Sequence, residues 1–165
     1  MKKVFFVFLI SFFVLFIFCS RSNKERSWVF DKEHDLTPDQ ISLLDSLYRS
    51  HEKKTTNEIA LETTFDYGAD SSILLYAMHF LRNYELGKKD KNNGVAIVFS
   101  NKQRQTFIAT GYGTEKVLTD EIVQKIVDSL MVPEFKKAKY FEGIWEGSIA
   151  IVNFLEKPEN KIYVR

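Results

Sequence analysis

The strongest constraint on the fold is the stretch from Asn57 to Phe99, where three hydrophobic patterns follow one another. Asn57 to Thr64 alternates, with Ile59 and Leu61 on one side and Ala60 and Glu62 on the other, which predicts a strand with one partly wet face. After the turn FDYGADSS, Ile73 to Leu86 carries Ile73, Leu74, Ala77, Met78, Leu81 and Tyr84 on a helical stripe. Asp70 or a following serine caps this helix and Gly87 stops it. GKKDKNNG comes next, and Val95 to Phe99 is then continuously apolar, which implies burial on both faces and a central strand. Strand, helix, strand makes a parallel βαβ unit, expected to be right-handed. Asn101 to Gln103 turns the chain into Arg104 to Thr110, an antiparallel hairpin partner, so the sheet is mixed.

Helices flank this sheet. Thr37-Pro38-Asp39-Gln40 is a helix start, with Thr37 as N-cap, Pro38 in the first helical position and Gln40 placed to complete a capping box. Ile41, Leu44, Leu47 and Tyr48 keep helical spacing behind it. Asp120 to Met131 reads as a helix ended by Pro133. Tyr140 to Glu156 reads as another, with Phe141, Ile144, Trp145, Ser148, Val152 and Leu155 on its buried stripe and Pro158 as its stop. The expected class is therefore α/β, in one domain over 28–156 with a short tail at 157–165.

The first nineteen residues are a different kind of segment. Two lysines precede an apolar run from Val4 to Phe18 interrupted only by Ser11, the pattern of a membrane-targeting leader. Its fifteen residues span about 22 Å as a helix, short of the roughly 30 Å hydrocarbon core. A secretory signal peptide, a retained N-terminal transmembrane helix serving as anchor, and a lipoprotein signal with Cys19 as the lipidated thiol all export the rest of the chain. The cell envelope, on the extracytoplasmic or periplasmic side, is thus the expected location. Residues 20–27 form a polar tether. With a single cysteine no internal disulfide is possible. A formal charge of +1 argues against nucleic acid as a partner.

The candidate site is the turn after the hairpin. Because the end of the second hairpin strand lies beside the start of the first, Gly111 to Glu115 should sit next to Asp90 to Gly94. Together the two loops gather Asp90, Asn92, Asn93, Gly94, Gly111, Tyr112, Gly113, Glu115, Thr119 and Asp120, a set able to form a cation site or a docking surface. Asp90, Glu115 and Asp120 are its candidate metal ligands, for a divalent cation such as calcium. The plainer expectation is a corner: Gly111 and Gly113 supply positive φ, Tyr112 packs over the sheet edge, and Thr119 or Asp120 caps a helix. GYGTEK has the first half of a dinucleotide fingerprint, but Lys116 stands where the third glycine would be and the preceding strand is antiparallel, so no nucleotide is expected.

Five blocks carry a resemblance to a known family: VFDKEHDLTPDQ, NEIALETT, LGKKDKNNGVAIVFS, IATGYGTEKVLTD and PEFKKAKYFEGIWEGSIAIVNFL. They run in order from Trp28 to Leu155 and resemble the TPM domain family. That resemblance implies a three-layer α/β/α sandwich with a mixed sheet, export and membrane tethering. The function it implies is loosely defined, from photosystem II repair and receptor modulation to weak acid phosphatase activity. It also marks departures: the family often has an aspartate where Asn92 stands and an Asp-Arg pair where this chain has Gln103-Arg104.

Phosphatase chemistry needs a nucleophile or a metal-activated water, and positive charge at the transferring group. His34, His51 and His79 lie on a loop and two different helices, each expected to be a surface or half-buried structural residue. No G-x-S-x-G, H-E-x-x-H or P-loop occurs. Lys88, Lys89 and Lys91 are placed to attract a phosphate or simply to be solvated. The reading favoured by the residues is an extracytoplasmic, membrane-tethered module that binds or helps assemble a membrane-protein complex and requires no cofactor. The alternative is a weak metal-assisted acid phosphatase using Asp90, Glu115 and Asp120.

Overall fold

The computed structural model describes residues 26–163. The leader, Cys19 and most of the polar tether lie outside the described residues, so the expectations placed on them find no counterpart below.

Among the described residues four strands form one sheet in the order β1-β2-β3-β4: β1 Val29–Asp31, β2 Glu58–Thr63, β3 Gly94–Ser100 and β4 Gln105–Thr110. β1, β2 and β3 are parallel, and β4 returns antiparallel to β3 with Val95 opposite Thr110 and Ser100 opposite Gln105. The expected βαβ unit and hairpin are both present, and β1 is an addition that the sequence reading missed. All six residues of β2 are buried, which corrects the expected half-wet strand. Its polar face is dry because Glu58 and Glu62 are covered and paired with lysines.

The registers place Val29, Leu61, Ile97 and Ile108 on one face and Phe30, Glu62, Val98 and Phe107 on the other. α1, Pro38–Thr55, and α5, Tyr140–Leu155, cover the first face. They meet through a buried hydrogen bond of 2.7 Å between the Tyr48 hydroxyl and Ser148 Oγ. Phe99 extends this face toward Phe135 and Tyr140, 4.7 and 5.5 Å away between ring centres. α2, Ile73–Asn83, covers the second face, where Phe80 meets Phe30 edge-on and Tyr84 lies tilted against it. The result is the expected α/β/α sandwich.

α1 and α2 cross on opposite faces although the strand order advances in one direction. The two crossovers therefore differ in hand, and one departs from the right-handed rule. The departure also sends the chain out of neighbouring carboxyl ends of β1 and β2 toward opposite faces of the sheet.

The start of α1 is as the residues predict. The Gln40 N–H donates to Thr37 Oγ1 and the Thr37 N–H to Gln40 Oε1, a complete capping box. α2 is capped by Ser72, whereas Asp70 pairs with His79 at 2.7 Å. It ends at Asn83, before Gly87, and its buried stripe is Ile73, Ala77 and Phe80, with Leu74 and Met78 exposed. Pro133 does not end the following helix. α3, Asp120–Ile126, runs into a π turn, Val127–Met131, and on into α4, Val132–Phe135, where Pro133 sits in the first turn and needs no donor. The Val132 N–H reaches back to the Val127 carbonyl, and buried Met131 lies in the space left by Gly147 of α5.

A candidate rim site and the opposite end of the sheet

The hairpin brings the two predicted loops side by side at the end of the sheet where β2 and β3 begin. The Gly111 N–H donates to Gly94 O and the Gly113 N–H to Asn92 O, both at 2.9 Å, and Thr114 Oγ1 donates to Gly94 O at 3.2 Å. Neither Gly111 nor Gly113 has a positive φ, which corrects the expected reason for these glycines. The reason is space. A Cβ on Gly111 would lie 2.4 Å from the Asn92 carbonyl oxygen, and one on Gly113 would lie 1.8 Å from that of Lys91.

Asn93 is fully buried and fastens the first loop: its Nδ2 donates to Asn57 Oδ1 and its Oδ1 accepts from the Lys88 N–H, both at 2.8 Å. Gly94 is buried as well, so these two candidates face inward. Lys88 reaches Glu58 at 2.6 Å and Glu52 at 2.9 Å, and these two carboxylates, Glu58 first, raise its pKa. It is committed to that pair. Lys91 instead donates to the Thr56 hydroxyl at 2.8 Å.

What the corner presents outward is different. Tyr112 is 80% exposed and does not pack over the sheet edge. Asn92 is exposed with φ 49°, a left-handed conformation that asparagine tolerates. Asp90, Lys91, Glu115, Lys116, Lys161 and Tyr163 join Tyr112 around a concavity of about 910 Å³. Thr119 is the N-cap residue of α3 without a side-chain cap bond, and Asp120 opens that helix outside the lining of the concavity. Among the described residues no group of three or more His, Cys, Asp or Glu side chains is placed to hold a metal ion. The residues present thus do not fit a site built on Asp90, Glu115 and Asp120 together.

The opposite end of the sheet holds polar residues that the sequence reading passed over. Asp31 accepts from the Thr63 hydroxyl at 2.6 Å and from the N–H groups of Leu36 and Asp35 at 3.0 and 3.2 Å. Glu33 accepts from the N–H groups of Asn101 and Lys102 at 2.8 and 3.1 Å. Burial raises its pKa, with nearby Asp35 acting in the same direction against those two donors. Buried Glu62 bonds the Tyr76 hydroxyl and lies 2.9 Å from Lys32. Burial works against the Lys32 charge, but its contacts with Glu62 and Tyr76 outweigh that and leave its pKa raised. Asp35 Oδ2 and Glu62 Oε2 are buried without a partner. The available signal was VFDKEHD, with acids at 31, 33 and 35 just past a strand.

The histidines stay apart. His34 is an exposed loop residue with φ 59°. His51 is fully buried against Glu156 at 3.2 Å, deeper than expected, and burial lowers its pKa although Glu156 opposes the shift. Among the described residues no helix is long and apolar enough to cross a membrane.

A family model for the TPM domain matches residues 29–154. The N-terminal domain of a protein from P. gingivalis, solved by NMR, is similar with a TM-score of 0.75 and 24% identity, over 87% of this chain and 90% of that one. An N-terminal domain from Corynebacterium glutamicum is similar with a TM-score of 0.61 at 8% identity, over 78% and 80% of the two chains. A protein from the psychrophilic bacterium Bizionia argentinensis gives 0.58 at 19%, over 76% and 88%. No curated protein matches. At these identities the solved structures speak for the fold alone.

Proposed function

The chain belongs to the TPM domain family, and from that premise we propose that it is a membrane-tethered, extracytoplasmic binding or assembly module acting on a membrane-protein complex, without catalysis of its own. The glycine-cornered rim is its contact surface, with Asp90, Asn92, Tyr112 and Glu115 outward. One observation carries the reading: Tyr112 stands 80% exposed on a corner whose backbone is locked by close glycine contacts. A rigid corner loses little freedom on binding, and exposed tyrosine is a residue type that anchors interfaces. No cofactor is required for this role. The phosphatase reading remains the alternative, and no reaction step is derived for it because the three carboxylates do not gather around one point.

Crosslinking the full chain in its native membrane and purifying it tests the proposal. A reproducible co-purifying complex that weakens with Tyr112→Ala is expected. Phosphate-ester turnover that depends on a divalent metal and disappears in Asp120→Ala, while a distant surface change preserves it, would overturn it.

A further inference from the structure

The ligand of the rim follows from where the chain enters the fold and from which charges stand there. Arg26, the first described residue, donates to the Tyr84 carbonyl at the end of α2 and lies 4.0 Å from Glu58, the first residue of β2. Its entry point is therefore the rim end. Seven residues, Ser20 to Arg26, separate Cys19 from β1's approach, and at full extension they reach roughly 25 Å. The carboxyl ends of the strands lie a further strand length away, roughly 20 Å for six residues.

The end that a short tether holds nearest a bilayer also has the matching chemistry. Lys89, Lys91, Lys116 and Lys161 make no ion pair among the described residues, against the three carboxylates Glu85, Asp90 and Glu115. Tyr112 and Tyr163, 80% and 71% exposed, stand among these lysines. Lysines without a carboxylate partner beside exposed tyrosines are the combination that settles at a headgroup layer, where the ring takes the interface and the ammonium meets phosphate. The opposite end sets Asp31, Glu33, Asp35, Asp66 and Asp70 against Lys32, Lys102, Arg104 and Lys136, with Asp31 and Glu33 turned inward, and among the described residues it shows no exposed tyrosine to match Tyr112 and Tyr163.

We propose that the rim docks directly on the anionic headgroups of the bilayer to which the leader holds the chain, with Tyr112 and Tyr163 at the interface and the carboxyl ends of β1 and β2 pointing away. This rests on the membrane-tether reading above and names the ligand of the same surface. Tethering keeps the rim at high local concentration near the lipid, so weak contacts suffice.

The test uses the full chain with Cys19 intact and one azide-bearing residue in place of either Asp90 on the rim or Lys102 at the far end, each coupled to an environment-sensitive fluorophore. Both are reconstituted into phosphatidylcholine vesicles with and without phosphatidylglycerol, and co-flotation is scored separately from accessibility to an aqueous quencher. Co-flotation in both vesicle types is expected, with the residue-90 label losing most of its quencher accessibility only with phosphatidylglycerol and regaining it at high salt. The residue-102 label should stay accessible throughout. Reversing the charge of Lys89, Lys91, Lys116 and Lys161 should restore accessibility at residue 90 while flotation is unchanged. A chain that floats with an accessible rim label overturns headgroup docking alone, leaving a protein as the rim's partner. A chain that does not float overturns the tether and the docking with it.

Discussion

At the carboxyl ends of β1 and β2 the polar side chains turn inward and hold the protein's own backbone, whereas in the glycine corner of the rim the backbone packs on itself and, beyond the inward Asn93 and the committed Lys88, the side chains are left to solvent. Asp31 and Glu33 between them accept four backbone N–H groups that would otherwise be unsatisfied at strand ends. On the rim, carbonyl oxygens of Lys91 and Asn92 sit against glycines, and Tyr112, Glu115 and Lys116 are exposed. Acids in a loop thus mean different things at the two ends. In one place they are internal fasteners, and in the other they are free to meet something.

The contrast breaks first at Gly113. Gly113→Ala places a methyl carbon 1.8 Å from a main-chain oxygen that no rotamer change can move. Overpacking of that kind should cost about 3 kcal/mol in urea unfolding. A loss under about 1 kcal/mol would show that the rim corner yields and is not pre-set. Asp31→Ala comes next, because it strands two N–H groups and a hydroxyl; about 2 kcal/mol is expected by the same measurement. If that variant were neutral, the acids at the carboxyl ends of β1 and β2 would not be fasteners.

A smaller effect is expected from His51, which lies where α1 meets the end of α5. Burial depresses its pKa below the ordinary 6.5, so the unfolded chain binds the proton more tightly. The resulting stability is present above pH 6.5 and is lost as pH falls from there toward the folded pKa. Thermal unfolding at a series of pH values should show this slope, flattened in His51→Gln. The smallest effect belongs to Tyr112→Ser, expected to leave stability within about 0.5 kcal/mol while removing the rim's largest exposed ring. A larger loss would mean that Tyr112 packs in solution and is no contact residue.

Much of the fold was legible because its signals are local. The capping box at Thr37 to Gln40, the dry run from Val95 to Phe99 and the limits of α5 each depend on neighbours in sequence. β1 was missed because three residues are too few to show a period. β2 was misread as half-wet because an alternation with Glu62 looks the same whether that side meets water or a buried lysine and tyrosine. The stripe of α2 was set one position off because Met78 and Phe80 are both apolar, and what places Phe80 inward is its packing against Phe30 of β1, a contact distant in sequence. The pairing of the two rim loops could be read from hairpin geometry. Which of their residues turn inward could not, since Asn93 is held by Asn57, 36 residues away in sequence just before the neighbouring strand, and by Lys88 across the turn. The handedness exception left no local trace at all.

The π turn at Val127–Met131 has a consequence for how α4 is aimed. One inserted residue in a helix shifts everything downstream by about 100° around the axis. Deleting a single residue between 127 and 131 would turn this stretch into regular α-helix and swing Phe135 off Phe99 and Tyr140, the rings it now touches. The wide turn works as a rotational offset, setting the azimuth at which the chain's second half seals the sheet.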